Sequence, residues 1–182
     1  MLNRKLKNSE LNRKSVEEAK EAAKTPLILI LDNIRSLNNV GSVFRTADAF
    51  LIEKIYLCGI TATPPHKDIQ KTALGATESV EWEYKEDAVA LVTKLQESGV
   101  EVWAIEQTQG ATFLNQYQPK PHVKTAFVLG NEVKGVQQQV IDQVAKVIEI
   151  PQEGAKHSLN IAVTAGVICW DFYQKLRTKK SG

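Results

Sequence analysis

Within "NNVGSVFRTADAF" (residues 38–50) a single cation, Arg45, follows Asn39 by six residues, in a helical pattern that opens after an apolar run ending at Asp32. Two further segments join polar residues to glycine behind apolar runs. "GNEVKGVQ" (130–137) carries Glu132, and "PQEGAKHSLN" (151–160) carries Ser158 and Asn160. Together they offer backbone amides and carbonyls, the Glu132 carboxylate, a Ser/Asn pair and the Arg45 guanidinium. That inventory suits gripping a neutral or zwitterionic small molecule by main chain, with an anion-binding arginine beside it.

Other chemistries lack their residues. "GNEVKGVQ" has the glycine spacing of a phosphate loop, but Val136 and Gln137 stand where lysine and a hydroxyl would hold terminal phosphate and magnesium. No G-x-G-x-x-G follows an apolar run, so the dinucleotide fingerprint is missing. His157 and Ser158 are adjacent, and neighbours on a helix do not face each other; no G-x-S-x-G elbow is present either. Three scattered histidines and two distant cysteines give no metal spacing.

The elements that must position these segments alternate. "SVEEAKEAAK" opens a short helix with a capping-box pattern, Ser15 with Glu18, and Pro26 stops it. Strands are expected at "LILILD", "KIYLCG", "SVEWEY", "VEVWAIEQ", "KTAFVLG" and "KVIEI". Helices are expected at 40–50, near 66–74, over "EDAVALVTKLQESG", from about 135 and over 158–178. Residues 108–123 read as an irregular surface connection. Strand–helix alternation with continuous apolar strands predicts an α/β domain around a mainly parallel sheet flanked by helices. Ligands of such sheets sit beyond the carboxyl ends of the strands. Three polar segments there, 32–41, 129–136 and 150–160, can gather into one site.

A chain of 182 residues reads as one domain, and 43% hydrophobic with 24% charged residues is ordinary for a soluble protein. No run approaches a membrane span, and the basic start lacks the apolar core of a signal peptide. Cys58 and Cys169, each among apolar neighbours, read as buried thiols and fit a cytoplasmic protein. Net charge is only +2, yet Arg4, Lys5, Lys7, Arg13 and Lys14 cluster at the start, and Lys175, Arg177, Lys179 and Lys180 at the end. We divide the chain into a basic arm with a short helix (1–25), a main domain (26–178) and a basic tail (179–182). Basic ends on a mildly acidic body are a handle for a polyanion, or else solubilising termini.

"NNVGSVFRTADAF", "FVLGNEVKGV" and "IEIPQEGAKHSLNIAVTAG", in that order, resemble the three motifs of the SpoU/TrmH RNA 2′-O-methyltransferases. "KTALGATESV" (71–80) resembles that family's central segment, and the similarity runs from about Pro26 to Leu176. The resemblance implies the SPOUT α/β fold with a deep C-terminal trefoil knot, although chain-topology rules alone would favour an unknotted sheet. It implies S-adenosylmethionine as cofactor, no metal, tRNA or rRNA as substrate, and a homodimer. It assigns Asn39, Arg45, Glu132, Ser158 and Asn160 to the catalytic motifs, and Leu129, Gly130, Ile150 and Leu159 to the cofactor loops. Two positions depart from the pattern: Ala162 stands where a serine is usual, and Gln152–Glu153 follow the proline in place of an apolar residue and a small linker.

Each residue also has a plainer reading. Asn39 and Ser158 can cap helices, Glu132 can orient its loop by accepting backbone N–H groups, and Asn160 can fix the knot loop. His157 reads as a bystander, and Trp103 and Trp170 as core. Arg45 reads as a clamp on phosphate or developing alkoxide. A base role would require a guanidinium to give up a proton that arginine keeps at neutral pH. Two other functions fit less of the sequence: a non-catalytic RNA-binding module on the same scaffold, and an ordinary α/β nucleotide-binding protein.

Overall fold

The computed structural model describes residues 3–144 and 146–178; the proposed tail 179–182 lies outside them. Among the described residues the chain runs α1 (Val16–Glu21), β1 (Thr25–Asp32), α2 (Leu37–Ala49), β2 (Ile52–Cys58), α3 (Lys67–Ala73), α4 (Ala76–Ser79) and β3 (Trp82–Lys85). It continues through α5 (Ala88–Glu97), β4 (Glu101–Ile105), β5 (Thr112–Phe113), β6 (Thr125–Leu129), α6 (Gln138–Val144), β7 (Val147–Glu149) and α7 (Ile161–Thr178). The seven strands form one sheet in the order β3-β2-β1-β6-β4-β7-β5, and their pairings are parallel. The parallel α/β architecture expected from alternation is present.

The apolar run of β1 is continuous because both faces of its strand are covered. Side chains alternate across a strand. Leu27, Leu29 and Leu31 therefore join α2, α3, α4 and α7 in one core, while Ile28 and Ile30 join α5 and α6 in another. The result is a sheet between two helical layers. Cys58 and Cys169 are buried and free, and burial pushes both thiols up to about 12. The capping box of α1 is formed: Ser15 Oγ accepts from Glu18 N, and the Glu18 carboxylate accepts from Ser15 N.

The helix that carries Arg45 starts earlier than its sequence pattern suggested. Ser36 is its cap, its Oγ accepting from Asn39 N at 3.3 Å, which puts Asn39 in the first turn. Val40, Val43, Phe44 and Ala47 form the buried stripe. Gly41 lets α2 approach α3: a Cβ there would lie 2.2 Å from the Ile69 carbonyl oxygen and from Thr72 Oγ1.

Four other expectations change. The helix near 66–74 is followed by a separate turn of helix, α4, because Leu74 and Gly75 take left-handed backbone conformations between them. Ser79 belongs to α4, where its hydroxyl donates to Asp48, so β3 begins only at Trp82. Residues 108–123 are more than a surface connection. β5 pairs with β7, and Leu114 and Tyr117 are buried, Tyr117 edge-on to Trp103 and Phe127. Trp170 is 53% exposed, since it falls off the stripe Ile161, Ala165, Ile168, Cys169 and Phe172 by which α7 meets the core.

Candidate active site

Four strands, β1, β6, β4 and β7, end on the same edge of the parallel sheet, so the segments behind them converge. A cleft of about 680 Å³ opens there. Its wall includes Leu129, Gly130 and Glu132 from behind β6, Ile150 from behind β7, and Ser158, Leu159 and Asn160 before α7. Seven of the expected site residues therefore share one cavity.

The loop 130–137 is stiff for identifiable reasons. Asn131 and Gly135 exchange backbone hydrogen bonds at 3.0 and 2.9 Å. Asn131 Oδ1 accepts from the N–H groups of Val133 and Lys134, and its Nδ2 donates to the Asn33 carbonyl at 2.7 Å. Gly130 lies so close to the returning strand of the loop that a Cβ would sit 2.2 Å from Gly135 C and Val136 N. Its lack of a side chain thus serves loop closure first. At the far end, Gln137 Nε2 donates to both carboxylate oxygens of Asp32, at 3.0 and 2.9 Å. Asp32 is 1% exposed, and burial raises its pKa despite those hydrogen bonds.

Glu132 reaches across to the segment behind β1. Its Oε2 accepts from Arg35 N and its Oε1 from Ser36 N, both at 2.9 Å, and Asn39 Nδ2 donates to Oε1 at 3.2 Å. Burial pushes the carboxyl up, but these donors outweigh it and hold the pKa below the ordinary value. Asn39 Oδ1 in turn accepts from Asn160 Nδ2 at 3.2 Å. Asn160 Oδ1 accepts from Ala162 N at 2.8 Å and Val163 N at 3.4 Å, which makes Asn160 the cap of α7. The first, second and third segments are therefore linked through side chains.

Capping duties fall on residues other than those expected. Ser36 takes the role considered for Asn39, and Asn160 the role considered for Ser158; α7 begins at Ile161 rather than 158. Ser158 is exposed at the cleft wall. His157 also lines the cleft, and its backbone carbonyl accepts from Gln107 Nε2 at 2.7 Å.

Arg45 stands apart. Six residues along a helix turn the side chain by about 240° and advance it about 9 Å, so Arg45 and Asn39 leave α2 on different sides. Arg45 is exposed in a second groove of about 580 Å³, lined also by Ser42, Phe50, Lys71 and Gly166. Within one chain it does not line the first cleft.

A fourth segment, behind β4, was missed by the sequence reading. Glu106 lines the cleft, its Oε1 accepting from Gln107 N at 2.9 Å and its Oε2 from Val136 N at 3.0 Å. The signal was present, since "VEVWAIEQ" ends its apolar run in a carboxylate on the functional edge of the sheet.

A family model described as "SpoU rRNA Methylase family" matches residues 26–170. The chain belongs to the SpoU rRNA methylase family. It is 28% identical over 162 residues to the 23S rRNA (guanosine-2′-O-)-methyltransferase RlmB of Vibrio parahaemolyticus, covering 89% of this chain and 64% of that protein. The chain thus spans just under two thirds of that relative's length. Among solved structures, the A. aeolicus TrmH/SpoU tRNA modifying enzyme superposes with a TM-score of 0.80 at 23% identity, over 91% of this chain and 82% of the other. The AdoMet-bound rRNA methyltransferase of Sinorhizobium meliloti gives 0.77 at 23% identity, over 90% and 62%. These likenesses establish the SpoU/TrmH fold. Among the described residues no helix is long and apolar enough to cross a membrane.

Proposed function

We propose that this protein is an RNA methyltransferase that uses S-adenosylmethionine to methylate a ribose 2′-hydroxyl of tRNA or rRNA, acting as a homodimer. The observation that carries this reading is the Asn160–Asn39–Glu132 chain of hydrogen bonds, which ties the first family motif to the two motifs that wall the cleft. The cleft also fits the cofactor. Its volume lies in the usual range for small-molecule sites. Leu129, Ile150 and Leu159 give apolar surface beside the main chain of Gly130, which suits an adenosine held largely by backbone.

When bound, S-adenosylmethionine would supply a sulfonium-activated methyl group as the electrophile for a ribose oxygen, with the thioether S-adenosylhomocysteine as its leaving group. The chain's own residues supply placement, which in enzymes contributes about 7–11 kcal/mol. Glu132 fixes the segment behind β1 against the loop 130–137, and Asn39 and Asn160 carry that order to the start of α7. Ser158 offers its hydroxyl to substrate at the cleft mouth. Arg45 clamps an RNA phosphate or the developing alkoxide, and the hydroxyl proton leaves to phosphate or water.

The homodimer is supported by α7. Besides its buried stripe it has a second one, Val163, Val167 and Trp170, which are 52%, 37% and 53% exposed. A helix apolar on two sides calls for two burial partners. Gly166, between those residues, lines the groove of Arg45. A second copy packed on this face brings each Arg45 to the subunit boundary, and the proposal has it serve the partner's cleft. A knotted C-terminal segment belongs to the same reading. Supporting it, residues 150–160 return past the end of β4, where Gln107 holds the His157 carbonyl. Cytoplasmic residence is proposed too, in keeping with two free buried thiols.

The test is incubation with S-adenosylmethionine carrying a labelled methyl group and total tRNA and rRNA, followed by alkaline hydrolysis. Label should remain in alkali-resistant dinucleotides, the mark of a blocked 2′-hydroxyl. Label found only in mononucleotides would place the methyl on a base and overturn the ribose assignment.

A further inference from the structure

We infer that Glu106 is a cofactor-selecting residue whose carboxylate accepts a hydrogen bond from the ribose hydroxyls of the adenosine moiety; this rests on the methyltransferase reading above. Four observations carry it. Glu106 follows β4 directly, on the sheet edge where the cleft opens, and lines that cleft. Each of its oxygens accepts one backbone N–H, from Gln107 and from Val136, which fixes the carboxylate plane without filling its acceptor capacity. Gly135 makes room for it: a Cβ there would lie 2.2 Å from Glu106 Oε2, and the backbone has φ +69°, which suits glycine.

The fourth observation separates the two cleft carboxylates. Glu132 accepts three donors from the protein, Arg35 N, Ser36 N and Asn39 Nδ2, and is occupied with order inside the chain. Glu106 accepts two, and keeps lone pairs for a ligand. A fixed carboxylate beside a backbone-lined adenosine cleft is matched by a vicinal diol, which offers two donors. Carboxylates at strand ends read ribose in the same way in other α/β sheets.

Glu106→Gln is a sharp probe. Both oxygens of Glu106 accept backbone N–H groups, so an amide must turn its NH2 toward one donor and cannot keep the same pose. Gly135→Ala is a second probe, displacing the carboxylate while leaving it in the sequence. The readout is binding to the full-length protein by calorimetry and ligand-observed NMR, comparing S-adenosylhomocysteine with its 2′,3′-dideoxyribose analogue. Wild type should prefer the intact ribose by about tenfold or more, and both variants should lose most of that preference. A merely structural latch weakens both ligands equally and leaves the ratio unchanged. An unchanged ratio in the variants, or equal affinities in wild type, overturns the inference while the methyltransferase reading stands. Wild type binding neither ligand sinks both.

Discussion

Asn39 and Glu132, 93 positions apart in sequence, are joined by a 3.2 Å hydrogen bond from the Asn39 amide to Glu132 Oε1. The same Asn39 accepts from Asn160. Order in the segment behind β1 is thereby tied to order at the start of α7. Loss of Asn39 removes the link between the two ends, whereas loss of Glu132 strands three donors, Arg35 N, Ser36 N and Asn39 Nδ2.

The Glu132 carboxylate gives a pH prediction. Its pKa is held below the ordinary value of 4.5, so its stabilising contribution is fully present above that value. It is lost as pH falls through the lower, folded-state pKa. Glu132→Gln sets an amide NH2 against the backbone N–H of Arg35 or Ser36. The stability gap between wild type and this variant, followed by urea unfolding, should be constant from about pH 7 to 5.5 and shrink below about 4.5. A gap that widens in acid would mean the carboxylate is not held by those donors.

The second stripe of α7 gives a prediction about assembly. Val167→Asp with Trp170→Glu places two charges on a face that is open in one chain, so folding should survive, with a melting temperature close to wild type. Sedimentation should show wild type as a dimer and the variant as a monomer at micromolar concentration. S-adenosylhomocysteine affinity should hold while methylation falls. A variant that remains dimeric would move the interface elsewhere.

The basic arm is tested by salt. Arg4 is paired in two-pronged fashion with Glu10, which leaves Lys5, Lys7, Arg13 and Lys14 as the cations without a described acidic partner in residues 3–14. Each phosphate contact they make on duplex RNA should release counterions and steepen the salt dependence of binding. Removing residues 1–14 should flatten the slope of log affinity against log salt by about two to four, with cofactor affinity unchanged. An unaltered slope would return the arm to a solubilising role.

The sequence displayed the parallel sheet because a strand buried on both faces reads as an unbroken apolar run, as at Leu27–Leu31. It displayed the cleft because strand ends in such a sheet must meet on one edge. Cap assignments failed by a few residues: Ser36 and Asn160 compete with Asn39 and Ser158 for the same role, and only backbone geometry decides between them. β5 was hidden because two residues carry no periodicity, and Tyr117 owes its burial to distant partners, Trp103 and Phe127. Asp32 looked like the polar end of a strand. Its buried clasp on Gln137, 105 positions on, has no local signature. Trp170 was misjudged because apolar character does not reveal which of two faces it covers.

Arg45 carries the last prediction, since the structure puts it outside the cleft of its own chain. Arg45→Ala should leave the melting temperature and S-adenosylhomocysteine affinity near wild type, because the side chain is exposed and the cleft does not include it. Methylation should fall by about two decades or more, the usual cost of losing a positioned donor to a developing oxyanion. Arg45→Lys should recover little, because a point charge cannot replace a two-pronged contact. The decisive measurement mixes subunits. Neither Arg45→Ala nor Asn160→Ala homodimers should turn over well, but a dimer with one of each should regain activity. Such a dimer still holds one cleft with intact Asn160 that faces an intact Arg45 from the partner. Recovery approaching half the wild-type rate is expected after co-refolding at equal concentrations and isolating the mixed species by two affinity tags. Mixed dimers no more active than the parents would show that Arg45 does not work across the subunit boundary.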